Sequence, residues 1–318
     1  MMDAIVVGID VSKDRLDVAV RPSGETFAVA RTAAGLRELA ARLDPKLPQT
    51  VGLEATGGYE TVVAASLAAA GLSVVVINPA QVRAFANALG KRAKTDPIDA
   101  AVIAHFVEAT KPEPRPLPDA ETQRLSDLLT RRTQIIDMMT AERQRQTRLT
   151  EPRLQKSIAR LLVALQKELS TLDGEIDGAM RGSPAWRAKE DLLTSVPGVG
   201  PTIARTLIAD LPELGTLDRR AIAALAGLAP WTRQSGQWKG KSFIGGGRTR
   251  VRAALFMGAM VAARYNPALK AFRDRLVAAG KSKLAALIAT ARKLLTILNA
   301  IVRDGTPWRT ETHANASI

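Results

Sequence analysis

The chain has no cysteine and only two histidines, His105 and His313, in 318 residues. Disulfides and thiolate metal sites are therefore excluded, as is a zinc site built from Cys and His, so any bound metal is a hard cation held by oxygen ligands. The lack of cysteine fits a reducing cytoplasm. No uninterrupted apolar run reaches the length of about 18 residues that marks a membrane-spanning helix. The nearest candidate, Val62 to Ile77, is broken by Ser66, Gly71 and Ser73 and reads as a buried helix followed by a strand. The start, Met1-Met2-Asp3-Ala4, lacks the basic segment of a secretory signal. These absences predict a cytoplasmic protein with no membrane partner.

Acidic residues are also scarce relative to basic ones, 31 against 45, for a net charge of +14. The imbalance is local. Residues 1–117 carry 13 basic and 13 acidic groups, residues 118–180 carry 10 and 10, and residues 181–318 carry 22 and 8. A surface of that sign attracts polyanions, because each neutralised phosphate releases condensed counterions. The C-terminal part therefore predicts a nucleic-acid partner. At 46% apolar the chain has material for about two cores, since domains cluster around ~100–200 residues.

Apolar, β-branched residues around Ser12-Lys13-Asp14 predict a β-hairpin over residues 4–20, and Phe27 to Ala30 add a third strand. Helices near Ala33–Leu43, Tyr59–Ala70, Gln81–Leu89 and Pro97–Ala109 alternate with strands at Val51–Leu53 and Val74–Ile77. That order describes an α/β layer fold with a mixed sheet. Four prolines between Lys111 and Pro118 make a stiff linker, which closes a first domain at 117. Residues 118–180 read as a helical arm divided at Pro152. Its stripe of Leu154, Ile158, Leu161, Leu165, Leu169, Leu172 and Ile176 steps by three or four in coiled-coil fashion. The basic tip, Arg143, Arg145, Arg148 and Arg153, is either a nucleic-acid contact or a solvated surface. In the mostly α-helical part, 181–318, Val196-Pro197-Gly198-Val199-Gly200-Pro201 joins two helices. This element resembles a helix-hairpin-helix, in which Gly198 and Gly200 would let backbone N–H groups face a phosphate. The last helix, Lys283 to Val302, has one continuous apolar face, and Gly305-Thr306-Pro307 ends it.

Two sets of residues carry chemistry. Asp10 and Glu54 each end a short apolar strand, where an ionised carboxylate is costly unless paired or metal-bound. Asp96 and Asp99 stand three apart at the start of a helix, hence on one face. Asp96 before Pro97 also reads as a helix cap, and Asp99 as a first-turn residue favoured by the helix dipole. Brought together, the four carboxylates would need a cation to offset their repulsion, and two Mg²⁺ ions would suit phosphoryl transfer. The second set surrounds Ser235 in Gln234-Ser235-Gly236, with Lys239, Lys241, Arg248, Arg250 and Arg252 as candidate phosphate contacts and Gly245-Gly246-Gly247 beside them. No histidine lies near Ser235 in sequence to act as a base. On residue types alone this segment is either a nucleophile loop or a flexible basic loop.

Gly8-Ile9-Asp10-Val11-Ser12-Lys13, Glu54-Ala55-Thr56-Gly57-Gly58-Tyr59, Lys94-Thr95-Asp96-Pro97-Ile98-Asp99-Ala100 and the Ser235-Gly236 segment resemble the insertion-sequence-110 transposases. The stretch from Arg292-Lys293-Leu294-Leu295 to Gly305-Thr306-Pro307-Trp308 is similar to that family too, and the match runs in order along nearly the whole chain. The resemblance implies a RuvC-like, ribonuclease-H-fold N-terminal domain in which Asp10, Glu54, Asp96 and Asp99 bind Mg²⁺, with Mn²⁺ as the alternative ion. It implies a C-terminal transposase domain whose Ser235 becomes covalently linked to DNA. It further implies an element-encoded guide RNA pairing with donor and target DNA, and dimers or tetramers in which domains of different protomers complete each site. A bacterial, nucleoid-associated location follows. The competing expectations are a RuvC-like nuclease of branched DNA that uses metal-bound water, and a non-catalytic nucleic-acid-binding scaffold.

Overall fold

The structure, a computed structural model, describes residues 4–46, 48–55, 57–91, 95–114, 119–232, 234–235, 238–240 and 242–309. Part of the proline-rich linker, 115–118, therefore lies outside the described residues, as do Thr56, Lys94, Gly236 and Lys241. The chain separates into two compact units, 1–117 and 118–318.

The first unit holds a five-stranded sheet made of β1 (Val6–Val11), β2 (Arg15–Arg21), β3 (Thr26–Ala30), β4 (Thr50–Glu54) and β5 (Val74–Ile77). Its helices are α1 (Ala33–Leu43), α2 (Tyr59–Ala69), α3 (Pro79–Ala88) and α4 (Asp96–Thr110). The strand order is β3-β2-β1-β4-β5. The first three strands pair antiparallel, and β4 and β5 run parallel to β1. Ser12 closes the first hairpin: its Oγ donates to the Arg15 carbonyl at 2.8 Å and accepts from the Arg15 amide at 3.2 Å. Val7, Ile9 and Val11 alternate onto one face with Leu36, Leu39 and Leu43 of α1 and Val63, Ala64 and Leu67 of α2. Val6, Val75 and Ile77 face the opposite layer with Val82 of α3 and Val102, Ile103 and Val107 of α4.

Helix α4 lies unusually close to the sheet. A Cβ on Gly8 would collide with the Ala104 amide and the Ala100 carbonyl, and one on Gly52, the residue beside Gly8 on β4, would collide with Val107. Ala19, the partner of Gly8 on β2, packs with Ala100 and Ala104 in the same seam. Small side chains on three strands thus set the helix down onto the sheet.

Among the described residues, the second unit is helical apart from one small hairpin. Helices α5 (Ala120–Arg148) and α6 (Pro152–Gly182) form the arm, about 44 and 46 Å long at 1.5 Å per residue. Pro152 begins α6, as its fixed φ suits the first helical position. After them come α7 (Pro184–Thr194), α8 (Pro201–Asp210), α9 (Arg219–Leu225), the strands β6 (Gln234–Ser235) and β7 (Trp238–Lys239), then α10 (Thr249–Tyr265), α11 (Pro267–Ala278) and α12 (Lys283–Asp304). Leu125, Leu129, Ile176 and Met180 of the arm share one core with Leu193, Leu207, Leu255, Leu294 and Leu298. The base of the arm is therefore part of this unit's core. Farther out the stripe is open to solvent, with Leu154 at 47% and Leu161 at 46% exposure. Helix α12 is long and apolar enough to cross a membrane, and half of its most apolar stretch is buried within the unit. Its left-handed cap is Gly305.

Candidate active site

The close seating of α4 builds the carboxylate site. Gly8 and Asp10 are two apart on β1 and so share a face, and the same holds for Gly52 and Glu54 on β4. With Ala100 and Ala104 lying over Gly8, the first turn of α4 carries Asp96 and Asp99 toward the end of β1 where Asp10 sits. Thr95 occupies the cap position and Asp96 is the first helical residue, so Asp96 is not the cap. Burial and then the negative charges of Asp96, Asp99, Glu54 and Asp17 push the Asp10 carboxyl up from 3.8 to about 6. The other three carboxylates singled out in the sequence therefore all act on Asp10 electrostatically. Asp10, Glu54 and Asp99 are half-buried and Asp96 is exposed. Among the described residues no three acidic or histidine side chains are drawn into a closed metal-ligand shell.

Asp17 is the member that the sequence reading passed over. It lies directly across from Asp10 in the antiparallel register, is 3% exposed, and accepts from Arg15 Nη2 at 2.6 Å. Asp17 holds the guanidinium of Arg15 in its charged form, with help from Asp96. Strand alternation was the available signal. Leu16, Val18 and Val20 take the buried α1/α2 face, which leaves Asp17 and Ala19 on the face that α4 covers.

Ser235 lies in the second unit, on β6, and is exposed. It pairs with Trp238, and Gln234 with Lys239, in a two-stranded antiparallel pair. The hairpin continues to a bridge between Trp231 and Phe243, whose backbones exchange N–H···O bonds of 2.8 and 3.2 Å. Its feet are locked together. A Cβ on Gly247, at φ 63°, would strike the Gly227 amide, and the Arg248 amide donates to the Leu225 carbonyl at 2.9 Å.

The candidate phosphate contacts fall into distinct settings. Arg248 grips Glu213 with both terminal nitrogens, one at 2.7 Å. Arg250 reaches Thr130 and, at 3.4 Å, Asp210. Arg252 donates to the Gly246 carbonyl and to Thr249. These three arginines tie the hairpin's foot and the start of α10 to their surroundings while remaining half-exposed. Lys239 is placed by its backbone in β7. Gly198 has φ 106°, and a Cβ there would come within 2.6 Å of Ala262 on α10, so both the backbone and the packing call for glycine. Gly200 caps α8, with open space where a Cβ would project.

A family model for IS110-type transposases with an Asp-Glu-Asp-Asp site, described as "Transposase", matches residues 7–151. A second, described as "Transposase IS116/IS110/IS902 family", matches residues 190–274. The first interval contains all four carboxylates and the second contains Ser235. The pilin gene-inverting protein of Moraxella bovis is 30% identical over 98% of this chain and 100% of its own length, and that of Moraxella lacunata is 29% identical over the same shares. An uncharacterized 43.6 kDa protein of insertion element IS110 from Streptomyces coelicolor is 30% identical over 51% of this chain and 40% of its own.

Proposed function

Because the chain belongs to the IS110 family of transposases and is a DNA transposase or recombinase, we propose that it exchanges DNA strands using two centres, the carboxylates of the first unit and Ser235 of the second. The observation that carries this reading is that the negative charges of Glu54, Asp96 and Asp99 all bear on the Asp10 carboxyl.

This set of four carboxylates fits a divalent cation. Its donors are all hard oxygens, and burial together with the neighbouring negative charges raises the Asp10 carboxyl, a cost that a bound cation relieves. Asp10, Glu54, Asp96 and Asp99 would hold Mg²⁺, or Mn²⁺, which would supply positive charge to the attacking and leaving oxygens of a phosphoryl displacement. Arg15 and Asp17 hold the Asp10 side of the site in place. The β3-β2-β1-β4-β5 order, with an antiparallel meander and two parallel strands, supports a RuvC-like, ribonuclease-H-type reading of the first unit.

Ser235 is the nucleophile in this reading. Its Oγ forms a bond to phosphorus as one P–O bond of the DNA breaks, and the released oxygen takes up a proton. Attack by a strand's hydroxyl on the phosphoserine reverses the step and frees the serine, so rejoining needs no outside energy source. Relatives named for gene inversion fit a chemistry that both cuts and rejoins. The excess of cations in residues 181–318 suits donor and target DNA together with an element-encoded guide RNA. Lys239, Lys241, Arg248, Arg250, Arg252, Gly198 and Gly200 are the proposed contacts. The exposed Leu154 and Leu161 on α6 supply an apolar edge for a homodimer or homotetramer built through the arm. Such an enzyme works on the bacterial nucleoid.

The deciding experiment incubates the protein with labelled donor DNA and candidate guide RNA, followed by denaturing electrophoresis and peptide mapping. A phosphoserine at residue 235, absent from Ser235→Ala, is expected. Free DNA ends with no adduct, made equally well by Ser235→Ala, would establish a metal-dependent nuclease instead.

A further inference from the structure

The hairpin that carries Ser235 also carries an aromatic surface that the reaction as proposed leaves unused. The chain is poor in aromatic residues, 4% in all, yet Trp231, Trp238 and Phe243 fall within 13 positions of one another. Trp231 is 59% exposed and Phe243 45% exposed. Their rings lie nearly parallel, 16° apart in plane with centroids separated by 6.3 Å. Burial elsewhere was available to the chain, because the neighbouring residues take it. Leu228 is buried in the core of the second unit, and Ile244, next to Phe243, packs against that core. Ile244 thus turns inward while Phe243 stays at the surface. The pair is also held in place, by the exchanged backbone bonds between Trp231 and Phe243 and by the locked glycine feet below them.

We propose that Trp231 and Phe243 form a stacking platform for an unpaired nucleobase of the strand that Ser235 attacks. Three observations choose this occupant. The two rings are nearly parallel and exposed at the surface, which suits a π face more than an aliphatic side chain. The platform sits in a stretch of chain with 22 basic and 8 acidic residues, which draws a polyanion toward it. It is also near the nucleophile, since the four residues from Trp231 to Ser235 span at most about 14 Å of extended chain. That is about four nucleotide rises at ~3.4 Å each. A base held out of its duplex on this surface would fix the register of the adjoining phosphodiesters relative to Ser235. Unstacking is least costly where a strand is already unpaired, so the platform favours opened DNA over intact duplex.

The inference rests on the reading of this unit as a DNA-binding recombinase, and its test separates the two. Full-length protein is titrated by fluorescence polarisation against a labelled oligothymidylate of about 20 nucleotides, longer than a typical single-strand site. A matching oligonucleotide with abasic positions and a duplex of the same length serve as comparators. Base stacking predicts that Trp231→Ala and Phe243→Ala each weaken oligothymidylate binding by roughly 5- to 150-fold, with abasic and duplex binding unchanged. Trp231→Phe, which keeps a π face, is expected to stay within about threefold of the unsubstituted protein. In the unsubstituted protein, a 2-aminopurine placed along a single-stranded probe should be quenched on binding.

Equal affinity of Trp231→Ala and the unsubstituted protein for oligothymidylate overturns the proposal. So does an equal loss on the abasic probe, which would mean that the ring supports the hairpin and not a base. Ser235→Ala is expected to retain the base-dependent affinity. A protein that shows that affinity but forms no serine adduct would therefore keep the platform and lose the covalent mechanism.

Discussion

Asp10 and Asp17 stand opposite each other across β1 and β2, two carboxylates on one face of the sheet. Like charges in that position repel. The arrangement persists because Asp17, almost fully buried, is bonded to Arg15 at 2.6 Å, which leaves Asp10 as the group that carries the strain of the site.

Removing the guanidinium should expose that dependence. Arg15→Gln leaves Asp17 buried without its ionic partner, and the urea midpoint is expected to fall. The double variant Arg15→Gln with Asp17→Asn should recover most of the loss, because no unpaired buried charge remains. A double variant no better than the single one would show that Asp17 needs no charge compensation.

Stability should follow the ionisation of Asp10. Its folded value of about 6 lies above the 3.8 of an unperturbed aspartate, so between the two the folded state keeps a proton that the unfolded chain has released. The protonated form favours folding, and that contribution is present below about pH 4 and lost as pH rises through about 6. In EDTA, Asp10→Asn is therefore expected to melt higher than the unsubstituted protein at pH 7 and to converge with it near pH 4. Adding Mg²⁺ at pH 7 should raise the melting temperature of the unsubstituted protein more than that of Asp10→Asn. Scanning calorimetry across pH, with and without the ion, reads both effects.

Gly8 sets how closely α4 approaches the sheet beside Asp10. Gly8→Ala drives a methyl group into the backbone of α4, and the cost is expected to be about 1–3 kcal/mol, as for overpacked cores. DNA cleavage should fall with it, because lifting α4 carries Asp96 and Asp99 away from Asp10. Gly174 is the contrasting position. It lies within α6 with open space around it, so Gly174→Ala should stabilise the protein by about 0.5–1 kcal/mol. Denaturant titration of both variants checks the pair.

The arm and the basic unit should fold as one piece. Leu125, Leu129, Ile176 and Met180 lie in the core of residues 118–318, so a fragment beginning at Asp119 is expected to unfold cooperatively. A fragment beginning at Arg181 loses those four side chains and should not. The longer fragment should bind DNA with an affinity that falls steeply as salt rises. Cooperative melting of the shorter one would show that the arm is dispensable to the core.

Much of the local structure was legible along the chain. The first hairpin, the helix over Ala33–Leu43 and the division of the arm at Pro152 follow from alternation, helical period and the missing amide of proline. Helices α9, α10 and α11 were not read. The glycine-rich approach to α10 resembles a loop until Gly247 is seen to pack against Gly227. The glycine-rich turn marks Gly198 along the chain, but its packing against Ala262, 64 residues away, has no local signature.

By itself the sequence determined which chemistry was available: hard oxygen donors, a serine followed by glycine and cations, and a charge excess confined to one end. Each of these is a property of residue type and order. Tertiary structure decided which groups act together. Asp17 joins Asp10 because a hairpin turn brings them into register, and Asp96 and Asp99 join them because Gly8, Ala19, Ala100 and Ala104 let a helix settle onto the sheet. The same level of structure engages Arg248 with Glu213 and leaves Trp231 and Phe243 facing solvent. Those outcomes depend on contacts between residues far apart in the chain, where the close approach of two backbones outweighs local preference.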